Sequence, residues 1–322
     1  MSGYGMLGHV MVNFQNSFGT SLVTSQEAIA VTEAGLVKGI EQIAEAGMYS
    51  RLSESPYHDG VQSFEGEISL EASPISIGYF LKSVIGYTQT TSGTGENVHI
   101  FKPRNSDFDE FAACDPMTIE QHLDVGSAGL FSDMCGNTLA LNIANSELLD
   151  LTAGFIGAGF TRKDPSTPVY PTASPFKWDQ MSGSFNGEPI LDITDLTLNF
   201  NNNLQSFYTL QNCSVPRKIK RTSMQVIELT GTMIFQSHSY WQAYEAGSEL
   251  PFVLNFSGIE SPNNLKIDIP LLRFKSYEPT IAGAGIIEAS FTAGAMFSVT
   301  SNTALEITLT NTQVGYLEPN LA

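Results

Sequence analysis

The chain has 322 residues, 42% of them hydrophobic, enough for one large core or two medium ones and too many for a chain disordered throughout. Its 33 acidic residues outnumber 15 basic ones, and the formal charge of −18 argues against a sequence-independent grip on nucleic-acid phosphates. The imbalance is uneven: residues 1–160 carry 19 acids against 5 bases, and residues 161–322 carry 14 against 10.

In chain order, the opening MSGYGMLGHVMVNF lacks the basic start and long apolar stretch of a secretory signal, and it reads as a flexible lead-in. FEGEISLEAS then alternates, with Phe64, Gly66, Ile68 and Leu70 on one face and Glu65, Glu67, Ser69 and Glu71 on the other, the mark of a half-buried strand. The spacing of Ile77, Phe80, Leu81, Val84 and Ile85 predicts an amphipathic helix, opened by Pro74 and closed by Gly86. An extended apolar stretch follows at Asn97–Lys102. TRKDPSTPVYPTASP, rich in Pro, Ser and Thr, predicts an extended linker over 161–176, between a first module at 1–160 and a second at 177–322.

Beyond the linker, Leu196, Leu198 and Phe200 alternate, as do Ile227, Leu229, Gly231, Met233 and Phe235. HSYWQAYEAG is a second, shorter helix, LPFVLNF another apolar strand, and Leu305, Ile307 and Leu309 the last alternating segment. A shift of 165 positions places Gly66 on Gly231, EISLE on TMIFQ and Tyr79 on Tyr244. Strand, short link, helix and extended stretch thus occur twice, with LPFVLNF answering Asn97–Lys102.

Catalytic and metal-binding patterns are missing. GSFNG misplaces the serine of a GxSxG elbow, and the five histidines, His9, His58, His99, His122 and His238, are scattered at no metal-ligand spacing, as expected of surface or interface side chains. GFIGAGF and AGAGII lack the third glycine of a dinucleotide fingerprint, and acids such as Asp192 and Asp195 read as solvated. Cys114, Cys135 and Cys213 form no CxxC pair, which suggests neither disulfides nor zinc. The most apolar window, Ile281–Val299, contains Glu288 and falls short of a membrane span. No enzyme activity, cofactor or membrane anchor is expected.

Several segments, in matching order over nearly the whole chain, resemble the tail tube proteins of long, non-contractile-tailed phages that carry two tube modules in one chain. They are Phe14-Gln15 with Phe18-Gly19-Thr20, the Gly-centred strand running into IGYFLKSVIG, HIFKP, SGSFNGEPILDITDLTLNFNNNL, ELTGTMIF, IPLLRFKSYEPTIAGAGII and LEITLTN. The resemblance implies a mainly β fold: two tandem β-sandwich or split-barrel modules, each with a flanking helix, contributing strands to an inner barrel. It implies a homotrimeric ring acting as a pseudo-hexamer, with rings stacked into a tube in the virion tail, assembled in the host cytoplasm. Partners would be further copies, a tape measure protein and tail terminator or tip proteins, with DNA passing without specific binding.

A DNA-conducting lumen should present acids and neutral polar groups, because a lysine or arginine there would create a phosphate site. Glu65, Glu67, Ser69 and Glu71, with their repeat partners Glu228, Thr230, Thr232 and Gln236, are the expected lumen residues. The basic cluster Arg217, Lys218, Lys220 and Arg221 is expected to dock on an acidic stretch of the next ring or subunit, such as Asp107, Asp109 and Glu110. Arms to other copies are expected from the first dozen residues, Thr88–Asp109, the linker and the tail after Asn311. The alternative function is a carbohydrate- or receptor-binding β-sandwich with Trp178, Trp241 and Tyr244 as a stacking platform; Trp241 and Tyr244 sit at helical spacing, which favours core packing.

Overall fold

The computed structural model describes residues 3–20, 27–47, 54, 56–86, 89–210, 213–281 and 283–316. The first half supplies β1 (His9–Phe14), β2 (Glu27–Ile29), β3 (Glu33–Ala34), β4 (Val37–Ala44), β5 (Tyr57–Glu71), helix α1 (Ile77–Val84), β6 (Gln89–Ser92), β7 (Asn97–Phe101), β8 (Met117–His122), β9 (Ala128–Ala144), β10 (Asp150–Gly157) and β11 (Gly159–Lys163). The second supplies β12 (Met181–Phe185), β13 (Glu188–Pro189), β14 (Ile193–Asn201), β15 (Leu204–Phe207), β16 (Lys218–Arg221), β17 (Val226–Ile234), α2 (Ser239–Glu245), β18 (Leu250–Ser257), β19 (Asn264–Thr280), β20 (Glu288–Ala295) and β21 (Glu306–Asn311). The fold is mainly β, as the recurrent alternation predicts.

Eight antiparallel strands form one continuous sheet in the order β4-β5-β10-β9-β14-β17-β20-β19. Numbered by appearance within each half, both sets of four run 1-2-4-3. The halves meet where Asp195–Asn201 of β14 pairs with Thr138–Ala144 of β9. Gly66 and Gly231 hold equivalent places, opposite Phe155 and Phe291 of the adjacent strand. At both, a Cβ would lie within 2.6 Å of a backbone carbonyl oxygen, that of Gly35 between β3 and β4 or that of Asp195 in β14, so only glycine lets the chains approach.

β9 and β19, 17 residues each, extend beyond this sheet into a second layer. There β9 pairs with β8 and β11, and β8 continues to β1 and β2. β19 pairs with β18 and β21, and β18 continues to β12 and β13. The apolar faces of the layers enclose one core running through both halves, from Phe64, Ile68 and Phe155 to Leu229, Phe274 and Phe291. Burying each such phenylalanine contributes about 1.5–3 kcal/mol before the entropy of ordering is subtracted.

Helix α1 departs from the predicted one-faced stripe, because all eight of its residues are buried. Tyr316, near the chain's C-terminus, covers it: its side chain is fully buried, and a Cβ on Gly78 would collide with the Tyr316 ring. Lys82, 2% exposed, donates to the Tyr316 carbonyl at 2.6 Å and lies 4.1 Å from the centre of the Phe14 ring, a charge-assisted hydrogen bond and a cation–π contact that offset its burial.

The expected match between Asn97–Lys102 and LPFVLNF is corrected by the pairing. β18 pairs with the long strand β19 as β8 pairs with β9, so Met117–His122 is its counterpart. β7 instead lies across the chain on β21, with β6 at its edge. Residues between α1 and β8 are thus an insertion that extends the other half's sheet.

Candidate assembly surfaces

The central sheet has one apolar and one polar face. On β5, Phe64, Ile68 and Leu70 are buried, whereas Glu65, Glu67 and Glu71 are exposed and Ser69 is half-buried. Across the strand pair, Ser69 and Thr152 bring their hydroxyls within 2.9 Å, and Glu71 lies opposite Asp150. Burial, with Glu147 nearby, pushes the Asp150 carboxyl above the usual carboxylate range. Glu228, Thr230 and Thr232 continue the polar face in the second half. There Lys275 is ion-paired with Glu228, so its charge is answered within the sheet. Gln236 lies beyond the end of β17, and its side chain donates to Asp192 at 2.8 Å.

The two ends of this sheet differ from its interior. β4 pairs with β5 on one side, and Arg273–Thr280 of β19 pairs with β20 on one side; no other strand among the described residues occupies the far edge of either. Near the first edge, Val37, Ile40, Ile43 and Tyr57 are exposed apolar side chains. Unpaired edges of this kind template pairing with another chain.

The basic cluster finds its expected acids, but inside one chain. Lys218 lies 3.0 Å from Glu110 and Lys220 lies 3.0 Å from Asp107, and Lys220 also donates to the Asp109 carbonyl. Asp109 accepts the backbone N–H groups of Phe111 and Ala112, closing the turn that presents these acids. Arg221 donates to the backbone and side-chain oxygens of Asn202, and Arg217 lies over the Phe111 ring. The spacing of charges predicts the pairing and is silent on which copy supplies the partner; the β15–β16 hairpin folds back across the first half and joins them in cis.

Of the histidines expected at the surface or an interface, His99 and His9 are buried. His99 sits in the core between β6 and β21, its ring nitrogens within 3.1 Å of Thr90, Asn311 and the Gln313 carbonyl, and burial lowers its pKa. His9 reaches Glu120, which is fully buried and also accepts from Lys163 at 2.6 Å and from the Ser166 N–H and hydroxyl. Burial alone would raise the Glu120 carboxyl, but these hydrogen bonds together hold it below its ordinary value. The cluster ties the start of the Pro-rich segment to β8. Phe176, at that segment's end, is pinned by backbone bonds to Ala72 and Leu149.

No group of three or more His, Cys, Asp or Glu residues able to hold a metal occurs among the described residues. No described helix is long and apolar enough to cross a membrane. Trp178 and Tyr244 line separate grooves, and Trp241 packs partly against the core with its indole donating to Glu245, so the three do not form one platform. A family model of phage tail tube proteins matches residues 11–295. The chain belongs to the phage tail tube proteins. A comparison with curated proteins returns no match. As a tail tube protein it is a structural subunit of the virion tail, from a family typically without enzymatic activity, whose members self-associate and assemble with other tail proteins.

Proposed function

We propose that three copies of this tail tube protein close a ring, and that rings stack into a tube conducting DNA through its bore. The observation that carries the reading is the eight-strand sheet with a repeated 1-2-4-3 order and an unpaired edge at each end. Within the chain, the third strand of the first half pairs with the first strand of the second, β9 with β14. Repeating that contact pairs β19 with β4 of the next copy. Three copies then give a closed barrel of 24 strands with no free edge, roughly 45–50 Å across the backbone for strands about 4.8 Å apart and tilted about 40°.

The halves, 1–160 and 177–322 joined through 161–176, act as two tube modules, so the trimer is a pseudo-hexamer. Residues Glu65, Glu67, Ser69, Glu71, Glu228, Thr230 and Thr232 line the bore, where acids and neutral groups let phosphates slide without a binding site. Tape measure and tail terminator or tip proteins are the further partners, and the subunit assembles in the host cytoplasm. Electron microscopy of the purified protein at rising concentration tests the reading: rings and then tubes are expected, and a protein that stays monomeric at every concentration contradicts it.

A further inference from the structure

The internal equivalence of the halves also identifies a seat that is filled in one half and open in the other. Superposing Gly66–Phe155 on Gly231–Phe291 relates Gln62 to Ile227 and Ala158 to Gly294. Cys135, partner of Ile156, corresponds to Ser276 of β19, the residue next to Lys275.

In the first half these positions receive the connection between β14 and β17. The Gln62 N–H donates to the Ser214 carbonyl at 2.7 Å, and its carbonyl accepts from the Tyr208 hydroxyl at 3.0 Å. Cys135 and Ala158 pack with Leu204 and Ile219 of the β15–β16 hairpin in a second apolar cluster. In the second half Ile227, Lys275 and Gly294 line a groove of about 530 Å³, together with Val226, Tyr244 and Arg273.

The counterpart of the β14–β17 connection is the β4–β5 hairpin, since β4 and β5 are the first and second strands of their half. That hairpin exposes Ile40 and Ile43 by 43% and 52%, apolar side chains that no other described residue covers. It also carries Glu41 and Asp59, while the groove carries Arg273. Apolar surface therefore meets apolar surface as in the filled seat, and the Glu41 and Arg273 charges are opposite in sign.

We propose that the groove between β17, β19 and β20 receives the β4–β5 hairpin of an adjacent copy, so that the contact between chains repeats the contact inside the chain. This rests on ring closure, and it adds the specific seat that locks the β19–β4 junction. The test replaces Val226 and Ile43 by cysteine in a Cys213→Ser background, assembles the protein, and applies a short thiol cross-linker. Covalent ladders of dimers and trimers from rings are expected; rings whose subunits stay unlinked overturn the seat and leave ring closure standing. If no rings form from the unmodified protein, ring closure and the seat fall together.

Should the cysteine variant itself not assemble, charge reversal supplies the readout. Arg273→Glu is expected to raise the concentration for half-assembly roughly tenfold at low salt, and Glu41→Arg in the same chain to recover most of it. Arg273→Glu that assembles like the parent overturns the seat.

Discussion

The junction between β9 and β14 and the far edges at β4 and β19 belong to one sheet and differ in a single respect: the first is complete within the chain and the others are not. On the proposed reading, the repeated strand order gives the molecule a worked copy, inside itself, of the contact between chains. The two polar faces make a second contrast, because β5 is acid-rich, whereas β17 is hydroxyl-rich and balances Glu228 with Lys275. In the proposed tube, the first half carries most of the repulsion toward phosphate.

The equivalence of the halves can be broken most severely in the core. Phe155 and Phe291, each 2% exposed and each opposite a glycine, should behave alike. Replacing either by Ala is expected to cost about 3–5 kcal/mol of unfolding free energy in urea titration of the unassembled protein. A cost for one several-fold smaller than for the other would show that the halves are not energetic equivalents.

Glu120→Ala, in the cluster with Lys163, His9 and Ser166, is expected to cost about 3–5 kcal/mol, since it strips partners from a buried charge network. The wild-type contribution has a definite pH sign. The folded Glu120 carboxyl is depressed, so its stabilisation is present above the ordinary carboxylate range and lost as pH falls through the folded value. His99, also depressed, acts in the same direction, its contribution fading as pH drops below the ordinary histidine value. Asp133, raised by burial, opposes them. Glu120→Ala should therefore flatten the acid limb of stability against pH, and an unchanged limb would contradict the assignment.

The face contrast is sharpened by charge reversal on β5. Glu65→Lys with Glu67→Lys and Glu71→Lys should leave the monomer's stability within about 0.5 kcal/mol per site, because these side chains are exposed or nearly so. Assembled tubes of that variant should retain duplex DNA, with a salt slope rising by about 0.9 per phosphate contacted, and parent tubes should not. Smallest of all, Lys218→Ala removes a partly exposed ion pair with Glu110 and is expected to cost about 0–1 kcal/mol.

Alternation made most of the central sheet legible, since Glu65-Gly66-Glu67 and Leu229-Thr230-Gly231 show their faces directly. The strand β1 escaped because HVMVNF is buried at all six positions and so shows no period of two. Its run of apolar residues was the available signal. Of the expected arms, β1 and the β6–β7 hairpin turn out to pair within the chain, and the linker is anchored at Ser166 and Phe176. Residues 317–322 of the expected tail lie outside the described residues. An extended segment reads the same whether it lies on its own chain or on a neighbour, and the Lys218–Glu110 and Lys220–Asp107 pairs were ambiguous for that reason. Where the insertion between α1 and β8 packs was hidden for another reason: β7's partner β21 is some two hundred residues away, and local pattern carries no long-range pairing.

The central claim is that three eight-strand sheets close one ring, and the mass of the smallest closed ring tests it most directly. Native mass spectrometry of rings should give three times the 34.9 kDa chain, with an inner wall of 24 strands in electron microscopy. A closed ring of six chains, or one whose β4 edges remain unpaired, would contradict the account.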